Sequence, residues 1–175
     1  MRFSQPILLL IFLTACSGKE NLDNRNHYFD IKGYFTKEAE RLQQDGPVIE
    51  KTVSQNNGAE VKDVKLTNWS AELELFAESD INKPAWKDSY DIVRNGPETR
   101  YVAKDTSLRT KSIAIVRSPK GDIRKIVILN KTKNALYSSE DELVYIPDSI
   151  YQIKKHQSVS IIGRNSYAVS ARFKN

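Results

Sequence analysis

Few side chains in this 175-residue chain can do nucleophilic or acid–base chemistry near neutral pH: His27, His156 and Cys16. A histidine base needs a hydroxyl or thiol to activate and a carboxylate to orient it, all converging in space. His156 follows Lys154 and Lys155 at the end of an expected strand, and no serine or acid flanks it at a spacing that makes such a set. His27 sits in a polar stretch and reads as a solvated surface residue. One cysteine and two histidines are too few for His/Cys metal clusters, and no metal site is expected. The dense acidic run Glu140-Asp141-Glu142, with Asp148 nearby, lacks the alternate ligand spacing and turn glycine of a calcium loop, so it reads as a solvated turn. The chain contains no G-x-S-x-G, H-E-x-x-H or phosphate-loop motif. These residues give no catalytic set, and the expectation is a protein that is not an enzyme and needs no cofactor.

The cysteine has a better explanation. Arg2 precedes an unbroken apolar run, Ile7 to Leu13, and small residues follow it. This is the layout of a secretory signal, and its apolar run is far shorter than the ~20 residues that span a bilayer. The tetrad Leu13-Thr14-Ala15-Cys16 resembles the lipobox of bacterial lipoproteins. That resemblance implies cleavage before Cys16, diacylation of its sulfur and three acyl chains in all, enough buried methylene for stable anchoring. Residues 1–15 are then a signal peptide, 16–27 a lipidated cysteine and tether, and 28–175 one folded domain. By the sorting rule of proteobacterial lipoproteins, in which aspartate after the cysteine marks inner-membrane retention, Ser17 is compatible with export to the outer membrane, the expected location. Gly18-Lys19-Glu20 faintly resembles the surface-export signals of Bacteroidota lipoproteins, so the periplasmic and external faces both stay open. In texture, rich in Asn and Lys with short strands, the mature region is similar to small Bacteroidota lipoproteins of unassigned function.

Composition agrees with one folded unit beyond that N-terminus. Hydrophobic residues make up 39% and charged residues 28%, with a net charge of +5. The charge is uneven: residues 19–93 carry −5, whereas 94–133 carry +8. Arg100, Lys104, Arg109, Lys111, Arg117 and Arg124 are candidates for binding an anionic partner, an acidic protein, lipid or glycan of the envelope. Strand alternation over Leu108 to Arg117 sets Arg109, Lys111 and Arg117 on one face, with Ile113 and Ile115 between them. The competing reading is a solvated edge whose cations oppose aggregation. Nucleic acid is not expected, because no recognition motif accompanies the charge.

The elements that must position these residues follow from periodicity. A helix is predicted over Asp30 to Gln44, with Asp30 as N-cap, an apolar stripe of Ile31, Phe35 and Leu42, and a stop at Gly46-Pro47. Gly33 weakens its first turn. Val48 to Val53 and Glu60 to Leu66 flank Asn56-Asn57-Gly58, a hairpin signal. A second helix is predicted over Trp69 to Glu78, burying Trp69, Leu73 and Phe76 and turning Glu72, Glu74 and Glu78 outward. From Trp86 on, the period is two, giving nine short strand candidates: 88–93, 99–103, 108–117, 123–129, 135–138, 143–146, 151–155, 159–162 and 167–173. Short connections imply antiparallel neighbours. Trp86, beside the turn at Pro84, is expected to close the helix–sheet core. The expected fold class is α+β: a mostly antiparallel, curved meander sheet with two helices from the N-terminal half packed against it.

The function expected from these features is a membrane-anchored, non-catalytic binding or scaffold module. The alternative is a lipid-handling, carrier-like protein with an apolar cavity under the sheet. The anchor is directly testable: a fatty-acid analogue should label the wild type and not Cys16→Ala, and equal labelling would remove the assignment.

Overall fold

The computed structural model describes residues 27–56, 58–161 and 163–174; Cys16, the signal segment and most of the tether lie outside them. Helix α1 runs Ile31–Asp45, then strands β1 (Val48–Gln55) and β2 (Gly58–Lys65), helix α2 (Trp69–Ala77) and a 3₁₀ turn at Pro84–Trp86. Seven further strands follow: β3 (Tyr90–Asn95), β4 (Glu98–Ala103), β5 (Thr110–Arg117), β6 (Ile123–Lys133), β7 (Tyr137–Ile146), β8 (Ile150–Val159) and β9 (Gly163–Phe173). They form one open sheet in the order β2-β1-β9-β8-β7-β6-β5-β4-β3, with every neighbour antiparallel. β3 to β9 is a meander, and the early hairpin docks on its last strand, pairing Ile49 with Phe173.

Local chemistry starts each helix where the sequence predicts. Asp30 accepts the Gly33 N–H at 2.8 Å, and Asn68 accepts that of Ala71 at 3.0 Å. Gly33 does not delay the first turn. A Cβ there would lie 2.2 Å from the Asp30 carboxylate, so the glycine makes room for the cap. Both helices lie on the sheet face that carries Ile113, Ile115, Ile126, Ile128, Leu143, Tyr145 and Tyr151, all essentially inaccessible to solvent. Phe35 of α1 meets Phe76 of α2 at 4.9 Å between ring centroids, and Trp69 stacks on Phe173 at 5.7 Å.

Two tyrosines opposite each other on β7 and β8, Tyr145 and Tyr151, fix this layer. The Tyr145 hydroxyl donates to Glu38 of α1, and the Tyr151 hydroxyl donates to Glu72 of α2 at 2.6 Å. Each carboxylate is shared with a cation. Arg41 reaches Glu38 at 2.7 Å and also Asp148 in the β7–β8 turn, and Lys51 of β1 reaches Glu72 at 2.6 Å. This corrects the outward placement of Glu72. At 16% side-chain exposure it faces the sheet, where Lys51 and Tyr151 satisfy a charge that would otherwise be costly to bury.

The acidic run is likewise not a turn. Glu140-Asp141-Glu142 lies inside β7, and the two predicted strands around it are one. Alternation sends Glu140 and Glu142 to the open face, where they meet Lys131 at 3.0 Å and Lys154 at 3.6 Å. Asp141 turns inward, buried, accepting from Ser139 at 2.7 Å with the Lys155 ammonium 3.8 Å away. The strand predicted over 151–155 runs on to Val159 as β8, whereas 160–161 of the one predicted over 159–162 form a turn, and Gly163-Arg164-Asn165, predicted as a turn, begins β9.

Burial raises the ionisation of four phenols above the usual value near 10: Tyr34, Tyr145 and Tyr151 far up, and Tyr90 to about 12. At Tyr145 and Tyr151 the carboxylate each phenol donates to adds to the effect of burial. Stability from these phenols is fully present below pH 10 and is lost as pH rises through and beyond it, because the unfolded chain releases protons that the folded one holds. Titration should therefore show phenolate absorbance from these rings arising together with unfolding, not before it. Tyr145→Phe and Tyr151→Phe should each cost about 1–3 kcal/mol in urea denaturation, because a charged acceptor in a largely buried setting loses a donor.

Candidate functional site

The six cations singled out in the sequence do not form one surface. Arg100 pairs with Glu98 at 2.8 Å and Lys104 with Asp91 at 3.5 Å. Arg109 donates to the Glu78 carbonyl at 3.3 Å, and Lys111 donates to the carbonyls of Thr106 and Leu108. Arg117 donates to the Gly121 carbonyl at 2.9 Å and covers the Phe29 ring at 5.3 Å. Arg124 is exposed beside the 118–122 turn. The expected basic-and-apolar face of 108–117 is not a ligand surface in its middle, because Ile113 and Ile115 are core residues beneath the helices. Register shifts at Thr110/Ser112 and Val116/Arg117 also break the alternation at both ends of β5.

A different set converges at the far end of β6–β9, on the face opposite the helices. The pairing register builds it one rung at a time. Lys133 lies opposite Ser138, Ser138 opposite Ser158, and Ser158 opposite Arg164. The next rung is Lys131, Glu140, His156 and Ser166. All eight residues share one side of the sheet, since each strand advances by two between the rungs. They line an open groove of about 380 Å³. Lys131 is neutralised by Glu140, whereas Lys133 and Arg164 make no ion pair among the described residues. With four strands at ~4.8 Å spacing, the first rung sets its two cations about 14 Å apart at the backbone, with two hydroxyls between them.

His156 finds a hydroxyl here that local spacing gave no sign of: its Nδ1 lies 3.0 Å from Ser166 Oγ, and Glu140 stands on the opposite side in register. The arrangement does not suit acyl transfer. The Glu140 carboxylate is engaged by Lys131. The Ser166 N–H is spent on Asn56 Oδ1 at 3.2 Å, and the Ser166 carbonyl accepts the Asn56 N–H at 2.9 Å. Backbone donors in a sheet lie in its plane and are consumed by the ladder, so they cannot aim at an oxyanion above the face. What this rung offers is a row of hydrogen-bonding groups at fixed height, suited to holding a polar ligand.

Local sequence gives little sign of this site because its members are spread over four strands and three turns, residues 131 to 166, and come together only through register. The alternation Ser138-x-Glu140, His156-x-Ser158 and Arg164-x-Ser166 is the one local sign of it. Elsewhere, Trp86 is half-buried against the core, with the Lys83 ammonium 4.2 Å above its ring. His27 is exposed, the first of the described residues. No family model matches the chain, and no curated protein and no solved structure is detectably similar to it.

Proposed function

We propose that this chain is a lipid-anchored binding module of the bacterial cell envelope, non-catalytic, whose working surface is the groove at the far end of β6–β9. Cys16 carries the anchor and 16–27 the tether, at the outer membrane. The ligand is an acidic glycan. The observation that carries this reading is the rung Lys133–Ser138–Ser158–Arg164: cations at both ends of a hydroxyl row match a polyhydroxylated chain bearing spaced anionic groups. An open groove lined by charged and hydrogen-bonding residues, with no Leu, Ile, Val, Phe, Tyr or Trp side chain among them, suits such a ligand better than a lipid tail.

The carrier-like alternative draws no support from the described residues. It needs an apolar cavity under a curved sheet. The space between helices and sheet is instead filled by the rings of Phe35, Phe76, Trp69, Tyr145 and Tyr151. The covered face of the sheet is packed rather than hollow.

The test is titration with a uronic-acid or sulfated oligosaccharide, alongside vesicles of anionic lipid. Lys133→Glu with Arg164→Glu should weaken oligosaccharide binding at least tenfold with the urea midpoint unchanged. Binding should also weaken with added salt. Wild-type affinity in that double variant, or binding to the vesicles alone, would overturn the glycan reading.

A further inference from the structure

An open sheet has two edges, and an uncovered edge strand presents unpaired N–H and C=O groups to any strand that can match it. The two edges differ here. On β3 the first outward N–H, that of Tyr90, is already taken by the Tyr28 hydroxyl at 3.3 Å, and that hydroxyl donates in turn to the Lys87 carbonyl at 2.6 Å. The Tyr28 ring also packs edge-on against Tyr90 and Tyr101. Beyond Tyr90 the residues of β3 are exposed, as are all those of β2 except Val64, with Val61 58% accessible. What sets β2 apart is that its N-terminal end has no such cap among the described residues, and that its exposed side chains include the adjacent opposite charges Glu60 and Lys62.

The register decides which β2 groups are free. Asn56 N–H bonds to Ser166 and Lys174 N–H bonds to Val48, so the even-numbered residues of β1 face β9 and the odd-numbered ones face β2. Their partners Gly58, Glu60, Lys62 and Val64 therefore turn toward β1. Ala59, Val61 and Asp63 are left to present their N–H and C=O outward.

We propose that two copies of this chain pair through β2, antiparallel, about a two-fold axis at Val61. Such an axis sets Val61 against Val61 of the other copy and Ala59 against Asp63, pairing the outward groups in about six backbone hydrogen bonds. On the helix side, Glu60 of each copy then lies opposite Lys62 of the other. These are the non-hydrogen-bonded positions, where cross-strand side chains come closest. Within one copy the two side chains already attract, with Lys62 Nζ 2.5 Å from Glu60, so the exchange across the axis keeps both charges paired. No other centre pairs Glu60 with Lys62; an axis at Val64 would set Asp63 against Lys65, but it leaves Lys62 with no acid opposite and competes with the Asp63–Lys174 pair. An axis at Glu60, Lys62 or Asp63 opposes like charges, and one at Ala59 shortens the ladder and loses both ion pairs. This contact uses a different strand from the groove, so it stands or falls apart from the glycan reading.

Cross-linking of the full chain in detergent tests the register; its one native cysteine is Cys16, acylated in the reading above, and a Cys16→Ser control excludes disulfides through it. At the axis, paired Cα atoms lie about 5.5 Å apart, within the span of a disulfide. Val61→Cys should give a dimer on a non-reducing gel. Asp63→Cys should not, since its two copies sit about 13 Å apart along the strands. Sedimentation provides the charge test: Glu60→Lys should weaken the dimer about tenfold, and adding Lys62→Glu should restore it. A monomer at micromolar concentration with no Val61→Cys product would overturn the proposal. So would equal cross-linking at Asp63→Cys, or failure of the charge swap to rescue.

Discussion

Two phenol–carboxylate contacts hold the molecule's layers together: Tyr145 to Glu38 and Tyr151 to Glu72. Each joins a different helix to one of two adjacent strands, at positions directly across from each other. A buried carboxylate is costly unless it is paired and fully hydrogen-bonded, so each helix can seat only where its glutamate finds both a tyrosine and a cation. Glu38 finds Arg41, which also grips the β7–β8 turn through Asp148, and Glu72 finds Lys51 on β1. Apolar packing supplies the driving force without direction. These polar contacts supply the direction, fixing where each helix lies along the strands.

That placement divides the sheet. One face, near the middle strands, is committed to structure and filled with aromatic rings. At the far ends of β6–β9 the open face meets water. There the side chains are free of packing demands and are serines, cations, Glu140 and His156. Of the basic segment 94–133, Lys131 and Lys133 reach the groove there, while most of the cations singled out from the sequence are drawn into structural work. These close turns, cap carbonyls and pair with neighbouring acids.

The same division explains how much could be read from the chain. Elements under the helices were legible: the Asp30 and Asn68 caps, the Ile31/Phe35/Leu42 and Trp69/Leu73/Phe76 stripes, and the alternation through 113–115 and 126–128 all carry the imprint of one buried side. The far strand ends carry no such imprint. Glu140 to Glu142 reads as a turn, and 156–158 as a gap between two strands, because both of their faces are polar, yet they stay extended through ladder bonds to their neighbours. Glu72 was misplaced for a related reason, since its inward role depends on Lys51 and Tyr151, 21 and 79 residues away. The groove was invisible because register, which no local pattern encodes, assembles it.

The central claim is that the helix-bearing face holds the fold while the far end of the open face binds ligand. Hydrogen exchange, read peptide by peptide with and without the acidic oligosaccharide, tests it most directly. The account predicts that ligand slows exchange in 131–140 and 156–166, leaving 109–117 and the helices unchanged. Slowing confined to 109–117 or to the helices, with none at the far strand ends, would contradict it.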